Sequence, residues 1–311
     1  MFTVYVLVLI GAVIWGINIT LRKHFLEHLK MDPWTIIVGS MLSAGIVAFV
    51  WQFIRYGTSA ITDNGFWIPF AIAACLSIVI QSANVLSLTE DASLVGAIQG
   101  LTPVLIILSG WATLKEVPTL FGLIGILSVV AGLYLFRWKK RETETPRLLK
   151  KLPEGRMRNA ISICFDGNPW RRLFSSTGAR IALLSAISGA IAISYGKSAV
   201  EHSNPAIQAG TQFLTVSLAV FIFARATGRW KGVCRHFFIA CAIGVSVGIA
   251  EILFNSSYLF PFGLVAYVGT IKRFQIIVTA VLATVFLKEK FGPTKILAAT
   301  IIFAGIVLIA F

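Results

Sequence analysis

The sequence predicts an all-α membrane protein of ten transmembrane helices, arranged as two inverted five-helix repeats. Three observations carry that expectation. Hydrophobic residues fill 57% of 311 positions and charged residues only 13%, whereas an ordinary soluble domain carries about 25% charged residues. The apolar residues gather into ten runs, each close to the roughly 20 residues that a helix needs to cross hydrocarbon. Landmarks of the first half also return in order in the second.

The runs fall at 2–21, 34–54, 67–88, 92–113, 118–136, 181–200, 206–224, 237–258, 262–287 and 293–311. A closed β-barrel would alternate apolar and polar residues over short strands; Val129 to Phe136 and Ile301 to Phe311 do not alternate. Only Met1 precedes the first run, with no basic region and no small-residue cleavage site, so this run is expected to stay as an anchor.

The repeat sets the architecture. Lys23-x-x-x-Glu27-His28 returns as Lys197-x-x-x-Glu201-His202, Asn84 as Asn255, and Leu114-Lys115-Glu116 as Leu287-Lys288-Glu289. Ala131-Gly132 likewise returns as Ala304-Gly305, and the offset stays between 171 and 174. The organisation is therefore read as a first repeat over 1–136, a basic linker over 137–180 and a second repeat over 181–311. Five spans per half turn the second half over in the membrane. In transporters such inversion places a solute site near the bilayer midplane, between the halves, and lets each side open in turn.

Trp15-Gly16-x-Asn18 in the first span, Pro103 in the fourth and the twice-repeated Leu-Lys-Glu followed by an Ala-Gly span resemble the EamA-type permeases of the drug/metabolite transporter superfamily. The resemblance covers both halves and leaves out the linker. It implies a ten-span permease or exporter of amino acids, other metabolites or drugs. Val268-Gly269-Thr270-Ile271-Lys272-Arg273 is also similar to the ninth span of the sugar-phosphate translocators, where such a cation pair holds phosphate. That second likeness covers one span only.

Motifs for other chemistry are sparse. Cys75, Cys164, Cys234 and Cys241 form no Cys-x-x-Cys pair, so neither a disulfide framework nor a zinc site is expected. No Gly-x-x-x-x-Gly-Lys-Ser/Thr or His-Glu-x-x-His sequence occurs, which argues against an ATPase and a zinc protease within the membrane. Gly244-Val245-Ser246-Val247-Gly248 has the Gly-x-Ser-x-Gly form but lies inside an apolar run rather than at a strand-to-helix turn, and all four histidines lie outside the deep spans, so an intramembrane enzyme is the less expected alternative. No cofactor is expected. A lipid flippase on the same scaffold is the nearer alternative to a solute carrier, and the reading leaves room for a homodimer. The sequons at Asn18 and Asn255 lie inside spans, out of reach of glycosylation.

Lys and Arg divide unevenly: 22 on the side of the linker against three on the other, Arg55, Lys115 and Lys197. The linker alone holds twelve basic and four acidic residues. Such clusters are attracted to anionic headgroups by about 1 kcal/mol per residue, and no aromatic-interleaved module beside them suggests nucleic acid. The positive-inside rule places 137–180 in the cytoplasm, with a bacterial inner membrane as the expected location.

The candidate site residues are polar groups inside spans. Lys272 and Arg273 stand together in an apolar run, where charge is costly and tends to be functional. Lys272, Gln275 and Thr279 share one helix face, as do Gln208, Thr211, Gln212 and Thr215. Glu251 follows Ala240, Gly244 and Gly248, whose four-residue spacing permits close helix contact. With spans eight and nine forming a tight hairpin, Glu251 and Lys272 differ in depth by roughly 5 Å, which makes Glu251 both the partner of Lys272 and the proton-coupling candidate. Trp15, Asn18, Gln81, Asn84 and Gln99 complete the expected substrate-binding set. Lys272 maps through the repeat to Gln99, and Gln81 to Ile252 beside Glu251, so one half carries charge where the other is neutral. Glu116 and Glu289 are expected to be solvated charges at span ends, with His28 and His202 also at span ends.

If the charge count sets orientation, a cysteine introduced at Thr145 should resist impermeant thiol reagents in intact cells. Ready labelling there would reverse the topology.

Overall fold

The computed structural model describes residues 2–29, 31–57, 62–87, 100–137, 177–230, 235–286 and 292–310, and within them every regular element is a helix. The first half gives α1 (Phe2–His28), α2 (Pro33–Tyr56), α3 (Trp67–Ser87), α4 (Thr102–Leu114) and α5 (Leu120–Arg137). The second gives α6 (Thr177–Glu201), α7 (Pro205–Ala226), α8 (Arg235–Ser257), α9 (Val265–Ile271), α10 (Phe274–Phe286) and α11 (Pro293–Ile309). By length and composition six stretches can cross a membrane, with α9 and α10 counted together, and four shorter apolar helices accompany them.

Local sequence sets the helix starts. Asp32 caps α2 by accepting from the Thr35 amide at 3.0 Å, and Asn204 caps α7 by accepting from the Ala206 and Ile207 amides at 3.1 and 2.9 Å. Each cap is followed by a proline at the first helical position, where no amide is needed. These two caps are themselves repeat mates.

Packing follows the exchange of halves. α1 lies on α8 as α3 lies on α6; α1 lies on α10 as α4 lies on α6; α5 meets α11 and α2 meets α7. The paired equivalents run antiparallel. Gly125 faces Gly305 and Ile309 while Gly132, further along α5, faces Ile302 and Ala298. Ser217 donates to the Val38 carbonyl at 2.9 Å, whereas Gly45 faces Leu214 and Gly210. Helices that change places under the repeat thus point in opposite directions, so the halves are inverted relative to each other.

Lipid offers little hydrophobic drive for one helix to bind another, so the seams rely on small residues that let backbones approach. A Cβ at Gly125 would stand 2.6 Å from the Gly305 carbonyl oxygen. On α8, Ala240 packs on Gly39, and a Cβ at Gly244 would overlap Ser40 and Ser43. The seam of α2 with α8 is extensive, while its repeat equivalent, α3 with α7, is much shorter. The molecule is therefore closed on the side where α5 ends and α6 begins, here called the linker side, and looser on the other.

Three expectations change. The ninth run is not one helix over 262–287; it breaks at Lys272 and Arg273 into α9 and α10. Hydrogen bonds tighten there from four-residue to three-residue spacing, with Arg273 N donating to Thr270 O at 2.9 Å and Ile276 N to Arg273 O at 2.9 Å. Neither proline nor glycine marks the break. The fourth run is described only at its end, since 91–99 and Gln99 lie outside the described residues, as do Cys164, Cys234, Glu289 and the linker over 138–176. Arg22, Arg55 and Lys197, counted with loops from the sequence, lie on α1, α2 and α6. Lysine and arginine are good helix formers with long apolar stems, so helices continue past the apolar runs.

Replacing Gly125 with leucine should lower stability by about 1–3 kcal/mol through overpacking. Alanine at Gly189, whose Cβ would meet only Ile80 at 4.0 Å, should be nearly neutral. Thermal unfolding in detergent checks both.

Candidate functional site

A cavity of about 200 Å³ lies between α3, α6, α7, α8 and α9, in the half of the bundle away from the linker side. Ser77 and Ile80 enter it from α3, Gln208 and Gln212 from α7, and Glu251, Asn255 and Tyr258 from α8. Lys272 enters from the break between α9 and α10. Two larger hollows, of about 400 and 360 Å³, are lined almost wholly by apolar side chains of α2, α7 and α8. They carry no charged group.

The charges in the cavity are paired. Lys272 Nζ donates to Glu251 Oε2 at 3.2 Å, and both side chains are 23% exposed. The same ammonium lies 4.5 Å from the centre of the Trp15 ring and 4.2 Å from that of Phe254. A carboxylate and two aromatic faces therefore offset the cost of keeping a cation in an apolar bundle. The turn that releases Lys272 from helical spacing also aims it at α8. The depth match from the sequence is what the geometry shows.

A neutral hydrogen-bond chain faces this pair. Gln208 Nε2 donates to Gln212 Oε1 at 2.8 Å, and Gln212 Nε2 donates to Ser77 Oγ at 2.6 Å. Gln208 Oε1 is buried without a partner among the described residues, leaving one acceptor open beside the cavity. Asn255 reaches the Pro205 carbonyl at 3.4 Å.

Other expected site residues lie elsewhere. Thr211 bonds back to the Ile207 carbonyl at 2.7 Å. Thr279 donates to the Gly16 carbonyl at 3.2 Å, and Gln275 is buried next to α1. The polar stripe of α10 thus holds α1 rather than facing the cavity, because the break turns α10 relative to α9. Asn18 faces α8 here, donating to the Ile243 carbonyl and to Ser246 Oγ, each at 2.9 Å. Arg273 follows Lys272 at the break but does not line the cavity. Gln81 is half-buried on α3, Asn84 lies on the same helix, and Gln99 falls outside the described residues.

The sequence reading missed a second ionic cluster. Glu116, expected to be solvated, has a side chain only 10% exposed and pairs with Lys197, itself 9% exposed. Lys197 also donates to the Gly263 carbonyl at 2.9 Å, and Glu116 Oε2 accepts the Val265 amide at 2.8 Å. One carboxylate thereby satisfies the first amide of α9 and fastens it to α4 and α6. The signal was present: Lys23 and Glu289 are the repeat mates of Lys197 and Glu116. Nearby, His202 Nδ1 and Asp63 Oδ2 stand 3.0 Å apart, and this bond holds the Asp63 carboxyl below its usual range.

The fold and the site define a multi-pass membrane protein of transporter type, two repeats enclosing a charged cavity. The EamA-like transporter family matches residues 2–138 and 176–311, and the chain belongs to that family. Among solved structures 27 chains match; one, titled only as a crystal structure of a protein, has a TM-score of 0.72 at 14% identity, covering 98% of this chain and 96% of its own. That likeness shows the fold. No curated protein matches the chain.

Breaking the second cluster should be costly. Lys197→Gln leaves the buried Glu116 carboxylate without its counter-ion and should destabilise the protein by about 3–5 kcal/mol, whereas Glu116→Gln leaves Lys197 the exposed Glu201 at 3.7 Å and should cost less. Thermal unfolding of the two variants in detergent measures the loss.

Proposed function

We propose that this protein is a secondary transporter that moves a small organic solute by alternating access, with the cavity at the α9–α10 break as its binding site. The observation that carries the reading is the Lys272–Glu251 pair, held at a broken helix inside an inverted repeat. Discontinuous helices near the midplane are how many transporters expose charge to a solute without exposing it to lipid.

Opening the pair offers a cation to a carboxylate or phosphate and a carboxylate to an amine or a proton. Amino acids, drugs and phosphorylated solutes bear such groups. Gln208 and Gln212 supply neutral hydrogen bonds alongside. Glu251 is the one carboxylate among the cavity's lining residues, which makes it the group for proton coupling: protonated, it releases Lys272 to the solute, and ionised, it takes Lys272 back. The basic linker rests on anionic headgroups at the cytoplasmic face of a bacterial inner membrane.

Flux of amino acids, organic anions, sugar phosphates and cationic drugs into proteoliposomes tests the proposal. Gln212→Leu should cut flux while leaving membrane insertion intact. Glu251→Gln should abolish the response of flux to a pH gradient. Wild-type flux and pH profile in Gln212→Leu, Lys272→Gln and Glu251→Gln would return these groups to a packing role.

A further inference from the structure

We infer that Arg22 is an anion-binding residue of the linker-facing state of the transport pathway, an inference that rests on the alternating-access reading above. The present cavity shows where to look. On α6 it is lined by Gly189, Ala192, Ile193 and Gly196, spaced as one helical stripe. The offset that carries Lys23 to Lys197 carries Trp15, Asn18, Ile19 and Arg22 onto those four positions. The α1 stripe is therefore what a cavity opening to the linker side exposes. Where α6 has Gly196, with no side chain, α1 has a guanidinium.

Arg22 is half-buried beside the seam that must part. Its Nη2 donates to Ser40 Oγ at 3.0 Å, and the Ser40 backbone packs on Gly244 in the α2–α8 seam. The offset between the caps Asp32 and Asn204 makes Ser40 the mate of Gln212, which lines the present cavity. Among the described residues Arg22 Nε is buried without a hydrogen-bond partner, and no ion pair there involves Arg22. A guanidinium carries five donors. At the end of the span, a half-buried guanidinium whose one described side-chain partner is a neutral hydroxyl keeps donors for a ligand, and its planar fork suits a carboxylate or phosphate.

The position also fits a relay. Trp15 touches Lys272, and Arg22 lies seven residues nearer the linker side, about 10 Å along α1. When α2 leaves α8, Arg22 loses Ser40 and takes the anionic group that Lys272 releases. The group recognised is a carboxylate or phosphate on a small solute, and a lipid phosphate has the same chemistry.

The experiment uses inorganic phosphate and acetate as probes. Wild type, Arg22→Gln, Arg22→Lys and Lys272→Gln are titrated in phosphatidylcholine nanodiscs, reading thermal unfolding. Arg22→Gln should weaken at least one anion by about tenfold or more, the scale of a lost charge-assisted hydrogen bond, with a smaller loss in Arg22→Lys. In proteoliposomes a cysteine at Ser40 should react with impermeant maleimide from the linker side and be protected by the same anion; this arm keeps Arg22 and decides the matter should Arg22→Gln not fold. Wild-type affinity in Arg22→Gln, no anion binding by the wild type, or an inert cysteine at position 40 would overturn the inference. Displacement of phosphate by phosphatidylglycerol in the disc would assign Arg22 to a lipid and overturn it too. Loss in Lys272→Gln with none in Arg22→Gln removes this inference and leaves the central site standing.

Discussion

Hydrocarbon cannot solvate an ammonium group, and the ion pair between Lys272 and Glu251 is the constraint around which the rest of the bundle is arranged. The pair needs α8 and the ninth span to meet at one depth, which the short α8–α9 connection provides. It also needs a side chain aimed off the regular helix path, which the break at Lys272 and Arg273 provides. Trp15 and Phe254 then complete the shell. A pair that is only partly buried can be opened by a competing charge at far lower cost than one sealed in a dry core, which suits a group that must exchange partners.

The inverted repeat supplies the second element, two ways of closing one bundle. Its seams are not equally made in this structure. Glycine and serine seal α2 against α8, while α3 and α7 meet over a much shorter seam that includes the Gln212–Ser77 hydrogen bond. Under the proposed alternating access, the second arrangement would form the looser seam and part the tighter one, because each half contains the helices the other uses. The α5–α11 contact is its own mate and can stay fixed while the other helices rearrange. The Glu116–Lys197 cluster tethers the start of α9 to α4 and α6, one short helix away from the break that carries Lys272.

Much of this was legible in the sequence. Composition and run length gave the helices, and internal landmarks gave the repeat. The pairing of Glu251 with Lys272 followed from counting residues back from the hairpin turn. The break itself was not legible, because Lys272 and Arg273 are ordinary helix formers with no proline or glycine between them. Missing the break put Gln275 and Thr279 in the cavity, whereas α10 presents them to α1. Glu116 looked like a solvated span end and Lys197 like a loop charge because their contact joins residues far apart in the chain. Arg22 was taken for a loop charge for a related reason: hydropathy marks where an apolar run stops, and α1 continues beyond it.

Distance measurement across the two seams tests the account most directly. Spin labels at Pro33 and His236 report the linker side of α2 and α8, and labels at Trp67 and Ser203 report the opposite side. In nanodiscs, transported solute or a shift in pH should move weight in the two distance distributions in opposite senses, one seam widening as the other narrows. Distributions that stay fixed, or that widen together, would contradict alternating access around the Lys272–Glu251 pair.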